Sequence, residues 1–270
     1  MVVIRELTTL AEMEEVQVIE HKVWGIPPIP THQTLTAVKN GGIMIGAYDG
    51  DKMVGFSYGF PGFKDGKIYL CSHMLGIDAA YRSQGIGERL KWKQREIAIA
   101  KGYDRMHWTY DPLETRNGYL NLTKLNGICD TYIENCYGEM DDEFNKGLPS
   151  DRFEVHWYLK SPHVVEKHEP DISNPVPAST LTFNADGLPE FVPGTEETLT
   201  APVYTVSVPK FFQELKAANF ELARDWRMQT RVQFQRLFRA GYAAVRVKAY
   251  ERHVDYFFVK KETLQLGGNA

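Results

Sequence analysis

The sequence predicts an α/β (α+β) fold: a mixed, central twisted sheet flanked by helices, with a small C-terminal α+β subdomain. Three observations carry this. Apolar runs separated by Asp/Gly turns fill residues 43–75, as antiparallel strands do. A strand–helix–strand pattern follows through residue 110. Residues 203–260 then repeat strand, helix and hairpin signals. The 270 residues suffice for one large domain or two modest ones, and at 43% hydrophobic the chain is too apolar to stay disordered.

Thr8 or Thr9 can cap a helix running through Glu20, with Leu10, Met13, Val16 and Ile19 at helical spacing. A second short helix starts near Thr31. Ile43–Tyr48 and Met53–Tyr58 flank Asp49-Gly50-Asp51, a hairpin signal, and Lys67–Leu75 follows a second turn at Lys64-Asp65-Gly66. The loop DAAYRSQG leads into a helix with Ile86, Leu90 and Ile97 on one face, ending at Gly102. Asp104–Tyr110 is expected as a strand parallel to the one before that helix, because a crossover helix separates them. A further helix is expected over Tyr119–Cys136. Phe153, Val155, Trp157 and Leu159 alternate with polar residues, as in a half-buried strand. Val203–Val208 forms a strand and Pro209 suits a helix first turn. Ala223, Trp226, Phe234, Leu237 and Phe238 make the apolar stripe of a helix, and 243–250 with 253–260 make a hairpin.

Seven of the 14 prolines fall between Pro162 and Pro202. Residues 161–202 are therefore expected as a linker or wrapping segment between a unit at 1–160 and the subdomain at 203–270. Lys+Arg 31 against Asp+Glu 35 gives a net charge of −4, which offers no broad attraction for a phosphate backbone and excludes general nucleic-acid binding. No run of about 18 apolar residues predicts a membrane span. The first residues lack a basic stretch followed by an apolar one, so no secretory signal is expected. Cys71, Cys129 and Cys136 are an odd count without zinc-type spacing. They are expected as reduced thiols in a cytoplasmic protein, with no metal site.

The motif that bears chemistry is Arg82-Ser83-Gln84-Gly85-Ile86-Gly87, an R-x-x-G-x-G pattern at a strand–loop–helix junction. Glycines let the main chain approach a phosphate, and the unpaired N–H groups and dipole at the helix start favour its charge. A Q/R-x-x-G-x-G match alone arises by chance roughly 0.15 times in a chain of this composition. Its position after three antiparallel strands gives it weight. A dinucleotide fingerprint fits less well, since that motif requires G-x-G-x-x-G directly after a first parallel strand.

Here the sequence resembles the GCN5-related N-acetyltransferases, the GNAT superfamily. The resemblance covers about residues 1–160. It rests on the three-strand meander, on YRSQGIGERL, on the strand DRMHWTY, and on Asn117 through Gly127 opening the next helix. The strings SHMLGI, WTYDPLETRNGYLNLTKLNG, NKGLPSDRFEVHW and DWRMQTRVQF resemble a bacterial subgroup with an added C-terminal region, associated with N-acylamino-acid metabolism. The resemblance implies acyl-coenzyme A, as acetyl-CoA or succinyl-CoA, as co-substrate. By position, Leu75 and Ile77 would offer backbone groups to the pantetheine arm. Arg82, Ser83, Gln84, Gly85, Ile86 and Gly87 would hold the pyrophosphate, and Asn117 would lie near the cofactor. Many members carry a tyrosine in the last helix to protonate the leaving thiolate. This chain has Thr123 there, with Tyr119 one turn earlier as a substitute candidate or an ordinary packed tyrosine.

His73 is a candidate general base on the cofactor strand, or a hydrogen-bonded sheet histidine. Asp111 and Glu114 lie just past the end of the following strand and could relay protons, although Asp111-Pro112 also opens turns. Arg116 and Arg152 could grip a substrate carboxylate, or form surface ion pairs. The expected activity is acyl-CoA-dependent N-acyl transfer to a small-molecule amine, with an amino acid favoured. Two alternatives are a non-catalytic acyl-CoA-binding sensor on a degenerate fold and a protein-interaction scaffold. A homodimer stays an open arrangement.

Overall fold

A capping box starts the first helix. The Thr9 hydroxyl accepts from the Glu12 N–H while the Glu12 carboxylate accepts from the Thr9 N–H at 2.9 Å, which fixes α1 at Leu10–Trp24. The computed structural model to which this helix belongs describes residues 2–142, 144–195 and 198–267. The chain divides into two compact units. The first holds the chain through Trp108 together with Trp157–Lys160. The second holds Thr109–His156 and the chain from Ser161 onward.

In the first unit, β1 (Val3–Glu6), β2 (Ile43–Asp49), β3 (Lys52–Lys64) and β4 (Lys67–Ile77) pair antiparallel in that order. β5 (Arg105–Tyr110) adds parallel to β4. The parallel step needs a crossover, which α3 (Ile86–Ala100) supplies. Residues 43–48 of β2 are all buried, the pattern of a strand covered on both faces. α1 and α2 (Thr31–Lys39) bring Met13, Val16, Ile19 and Val38 onto Met44, Tyr48, Phe56 and Tyr58. Full burial of such side chains contributes about 1.5–3 kcal/mol each. The distant segment 157–160 completes this unit. Trp157 lies edge-on to Trp92 and Trp108, and Leu159 receives Arg95 on its carbonyl and bonds Asp104 through its N–H.

The second unit departs from the sequence expectation near its start. In place of a helix over 119–136 there is a short helix α4 (Thr115–Gly118) and a π-helical turn at Tyr119–Lys124. The strand β6 (Ile128–Ile133) follows. Asn126 adopts φ +52°, and Gly127 sits where a Cβ would meet Val155 Cγ1 at 2.8 Å and the Asn121 carbonyl at 3.0 Å. That turn stops the helix, and Ile128-Cys-Asp-Thr-Tyr-Ile has the β-branched and aromatic content of a strand. β6 pairs antiparallel with β7 (Arg152–Tyr158), whose last two residues belong to the first unit.

After the four-residue helix α5 (Pro162–Val165), the proline-rich stretch contains β8 (Val176–Phe183) and β9 (Pro189–Pro193). Proline does not prevent this. β9 is the terminal strand of the sheet, and its prolines stand at its first and last positions, where a missing N–H costs least. Of the expected boundaries, 160/161 is one point where the chain passes between the compact units, whereas 202/203 lies within the second unit. β10 (Val203–Pro209) pairs parallel with β8 and antiparallel with β12 (His253–Lys260), which pairs with β11 (Tyr242–Ala249). Pro209 ends β10 rather than starting a helix. The helices are α6 (Phe212–Ala218) and α7 (Phe220–Arg239), the latter capped by Asn219.

Candidate functional site

The expected cofactor residues of the first unit converge on the end of β4. β4 and β5 are in register only at Leu70↔Met106 and Cys71↔His107. Past Cys71, β4 keeps β3 as its register partner, with Met74, Leu75, Gly76 and Ile77 opposite Tyr58, Ser57, Phe56 and Gly55. The β3–β4 register also shifts there, because two steps on β3 (Tyr58 to Phe60) face three on β4 (Cys71 to Met74). This bulge places an extra residue at Ser72-His73. It bends β4 at the point where its pairing with β5 ends.

β4 runs into a loop anchored by Asp78. That carboxylate is buried, takes the Lys22 ammonium at 2.7 Å and caps the Ala80 N–H at 3.2 Å. The hydrogen bond from Lys22 and the one from Ala80 hold Asp78 below the usual carboxylate range. Ser83 (φ +64°) and Gly85 (φ +74°) are both left-handed, and Gly85 is the N-cap of α3 with no side-chain cap. Alternating left-handed residues before a helix aim successive backbone N–H groups at one point, an anion-binding concavity. Arg82, Ser83, Gln84 and Gly85 are exposed, so the cradle is open to solvent. An acyl-CoA pyrophosphate fits this donor set.

His73 projects from the bulge as an exposed residue, with the Phe60 ring at 5.6 Å and the Tyr58 ring at 6.3 Å. Desolvation lowers its pKa below the ordinary histidine value. Beside it lies a cluster that the sequence reading did not single out. Lys91 of α3 is 2% exposed, donates to Ser72 Oγ at 2.6 Å and rests 3.6 Å from the Trp108 ring centroid. Ser72 in turn donates to Gln94 Oε1 at 2.7 Å. Burial pushes Lys91 down to about 7. The signal was the helical spacing of Lys91, Gln94 and Ala98, which puts two polar residues on the inward side of α3.

The other expected residues belong to the second unit. Asp111 accepts the Leu113 N–H on Oδ1 at 2.8 Å and the Arg227 guanidinium on Oδ2. Arg152 Nη1 is 4.0 Å from the same Oδ2, and its Nη2 donates to Asn145 Oδ1 at 2.7 Å. Glu114 accepts from Gln213, and its burial raises its pKa. Asp111 and Arg152 are thus brought together around Arg227, which the sequence reading also missed. Its clue was an arginine inside the apolar stripe of α7, four residues after Ala223 and seven before Phe234. Arg116 and Asn117 of α4 are exposed, and Tyr119 follows in the π-helical turn at 42% exposure. The Thr123 hydroxyl is committed elsewhere. It donates to the Val247 carbonyl at 2.9 Å and accepts the Val247 N–H at 3.1 Å.

Among the described residues, Cys71, Cys129 and Cys136 form no disulfide. Among the described residues no group of His, Cys, Asp and Glu could hold a metal ion, and no helix is long and apolar enough to cross a membrane.

Residues 9–118 match the model of the acetyltransferase (GNAT) family. Solved structures similar to the chain include the ribosomal-protein-S18-alanine N-acetyltransferase of Escherichia coli, at 16% identity and TM-score 0.48, covering 59% of this chain and 94% of that one. Another is an N-acetyltransferase from Staphylococcus aureus Mu50, at 18% identity and TM-score 0.48, covering 59% and 99%. A third is a GNAT-family acetyltransferase from Streptococcus pneumoniae, at 14% identity and TM-score 0.48, covering 58% and 98%. No curated protein matches the chain.

Proposed function

We propose, on the match of residues 9–118 to the acetyltransferase (GNAT) family model, that the chain is an acyl-CoA-dependent N-acyltransferase acting on the amine of a small molecule, an amino acid by preference. The observation that carries the reading is the end of β4: a bulged strand that leaves its parallel neighbour and leads into a left-handed Ser83/Gly85 cradle at a helix start. Acetyl-CoA or succinyl-CoA would supply the acyl group as a thioester, which an unprotonated amine can attack.

The chain's own residues have these roles in the reading. Backbone N–H groups from Ser83 to Gly87, with the Arg82 side chain, hold the pyrophosphate. The β4 backbone at Leu75 and Ile77 orients the pantetheine arm, and an N–H near Leu75 faces the developing oxyanion. His73 takes the ammonium proton on an imidazole nitrogen. Its lowered pKa keeps it neutral, and so able to accept, at pH 7. Asp111 suits that task less, because both its oxygens already accept hydrogen bonds. Tyr119 is the candidate proton donor to the thiolate, Asn117 a cofactor contact, and Arg116 and Arg152 candidates for a carboxylate.

The commitment of Thr123 to Val247 favours one competing reading, a sensor that binds acyl-CoA without turnover. Incubation with acetyl- or succinyl-CoA and mixed amino acids separates the two. Thiol release above the hydrolysis background is expected, and tight CoA binding without release would establish the sensor. His73→Ala is expected to lose turnover with acyl-CoA affinity nearly unchanged. The wild-type rate should rise with pH through a group titrating below the ordinary histidine value. Wild-type turnover in His73→Ala would exclude His73 as the base.

A further inference from the structure

Within the second unit, Arg227 is 1% exposed and uses only Nη2, on Asp111. Its Nε and Nη1 are buried and have no hydrogen-bond partner. Buried donors without acceptors are rare in native proteins and costly, so such a group marks a place where an acceptor belongs. The neighbouring arginine shows the contrast. Four residues along α7, Arg231 is matched, holding Asp151 through two nitrogens at 2.8 and 2.9 Å and Glu134 through a third at 3.0 Å. Arg227 has no such match. Asp111 is flanked by two guanidinium groups, since Arg152 Nη1 is 4.0 Å from the oxygen that Arg227 occupies. Arg152 spends its other hydrogen bonds on neutral groups, the Asp151 carbonyl and Asn145 Oδ1. Arg227 and Arg152 share this nearly dry space with Asp111, and Asp151 adds a second negative charge near Arg227, so what Arg227 lacks is acceptors for two of its nitrogens. Phe212 flanks Arg227 at 5.8 Å and Tyr137 flanks Arg152 at 5.5 Å, and aromatic rings supply no counter-charge of their own. The side chains of Asp111 and Arg152 keep 11% and 8% exposure, so the cluster reaches solvent.

We propose that Arg227 and Arg152, set about Asp111, form a binding site for the carboxylate of a small amino acid. The carboxylate accepts from the unpartnered Arg227 nitrogens. Asp111 and Glu114 are the acidic groups beside it that an α-ammonium can meet. That this amino acid is also the acyl acceptor rests on the transferase reading; that it binds does not.

The test is calorimetric binding to the full chain without CoA. Glycine, alanine and phenylalanine are each titrated as free acid and as amide. The acids are expected to bind roughly ten- to a hundredfold more tightly than the amides, the worth of a charge-assisted contact. Arg227→Met should erase the difference. Arg152→Gln, at the solvent edge, should reduce it and serves if Arg227→Met does not fold. Equal affinity for acid and amide overturns the proposal, as does failure of all six to bind, or an acid preference unchanged in Arg152→Gln and in a folded Arg227→Met. Thiol release from acetyl- and succinyl-CoA is followed separately. Acid-selective binding without release would leave the site standing and remove the transferase reading. Thiol release without acid-selective binding would leave the transferase reading standing and remove the site.

Discussion

At the scale of single residues, Lys91 makes a thermodynamic prediction. The fold disfavours its charge, so between about pH 7 and its unfolded value of 10.5 the unfolded chain binds more protons than the native one. Stability should then rise with pH across that window, by at most about 1.4 kcal/mol per pH unit. Lys91→Met should be the more stable protein at pH 7 and should lose this slope, while Ser72 and Gln94 keep each other as partners. Urea unfolding at several pH values measures both, and parallel slopes in the two proteins would refute a buried, charge-averse Lys91. Gly85 makes a different prediction. A Cβ there would meet no atom within 4 Å, so space is not what selects glycine; the φ of +74° is. A left-handed side-chain residue costs roughly 1–2 kcal/mol. Gly85→Val should therefore stay folded yet bind CoA at least tenfold more weakly, because relief of that strain turns the cradle's N–H groups away. Unchanged calorimetric affinity in a folded variant would remove the cradle assignment.

At the scale of elements, α4 depends on a contact no local pattern announces. A Cβ on Gly118 would collide with the ring and hydroxyl of Tyr256, whose hydroxyl donates to the Pro112 carbonyl at 2.8 Å. Tyr256 is fully buried, so it cannot swing clear. Gly118→Ala should cost about 1–3 kcal/mol, the range for overpacking, measured as a shift of the urea midpoint. Elements whose signals are local were legible in the sequence: the capped α1, the two tight hairpins, the α3 crossover and the hairpin of β11 and β12. The strand β6 was not. Its apolar residues fit a helical period as well as a strand, and what decides between them is the pairing with β7, between Ile133↔Arg152 and Ile128↔His156, far along the chain. The strands β8 and β9 were hidden by prolines that local reading counts as breakers and that a sheet edge tolerates. The site divides the same way. The glycine cradle lies in one continuous string, whereas the Arg227–Asp111 contact joins residues 116 positions apart.

At the scale of the whole molecule, the first unit is discontinuous in sequence, and Trp157 is its late arrival. This residue is fully buried between Trp92 and Trp108. Trp157→Ala should cost about 3–5 kcal/mol. Near-wild-type unfolding of that variant would mean that the segment only decorates the unit. The same connectivity has a consequence for how the protein is made. A ribosome releases Trp92 and Trp108 and must then translate all of Thr109–His156 before the third tryptophan exists. At roughly 5–20 residues per second that is a delay of seconds, during which the nascent unit presents bare indole faces to water. Nascent-chain binding by a chaperone should therefore peak in this interval and fall once residue 160 has cleared the exit tunnel.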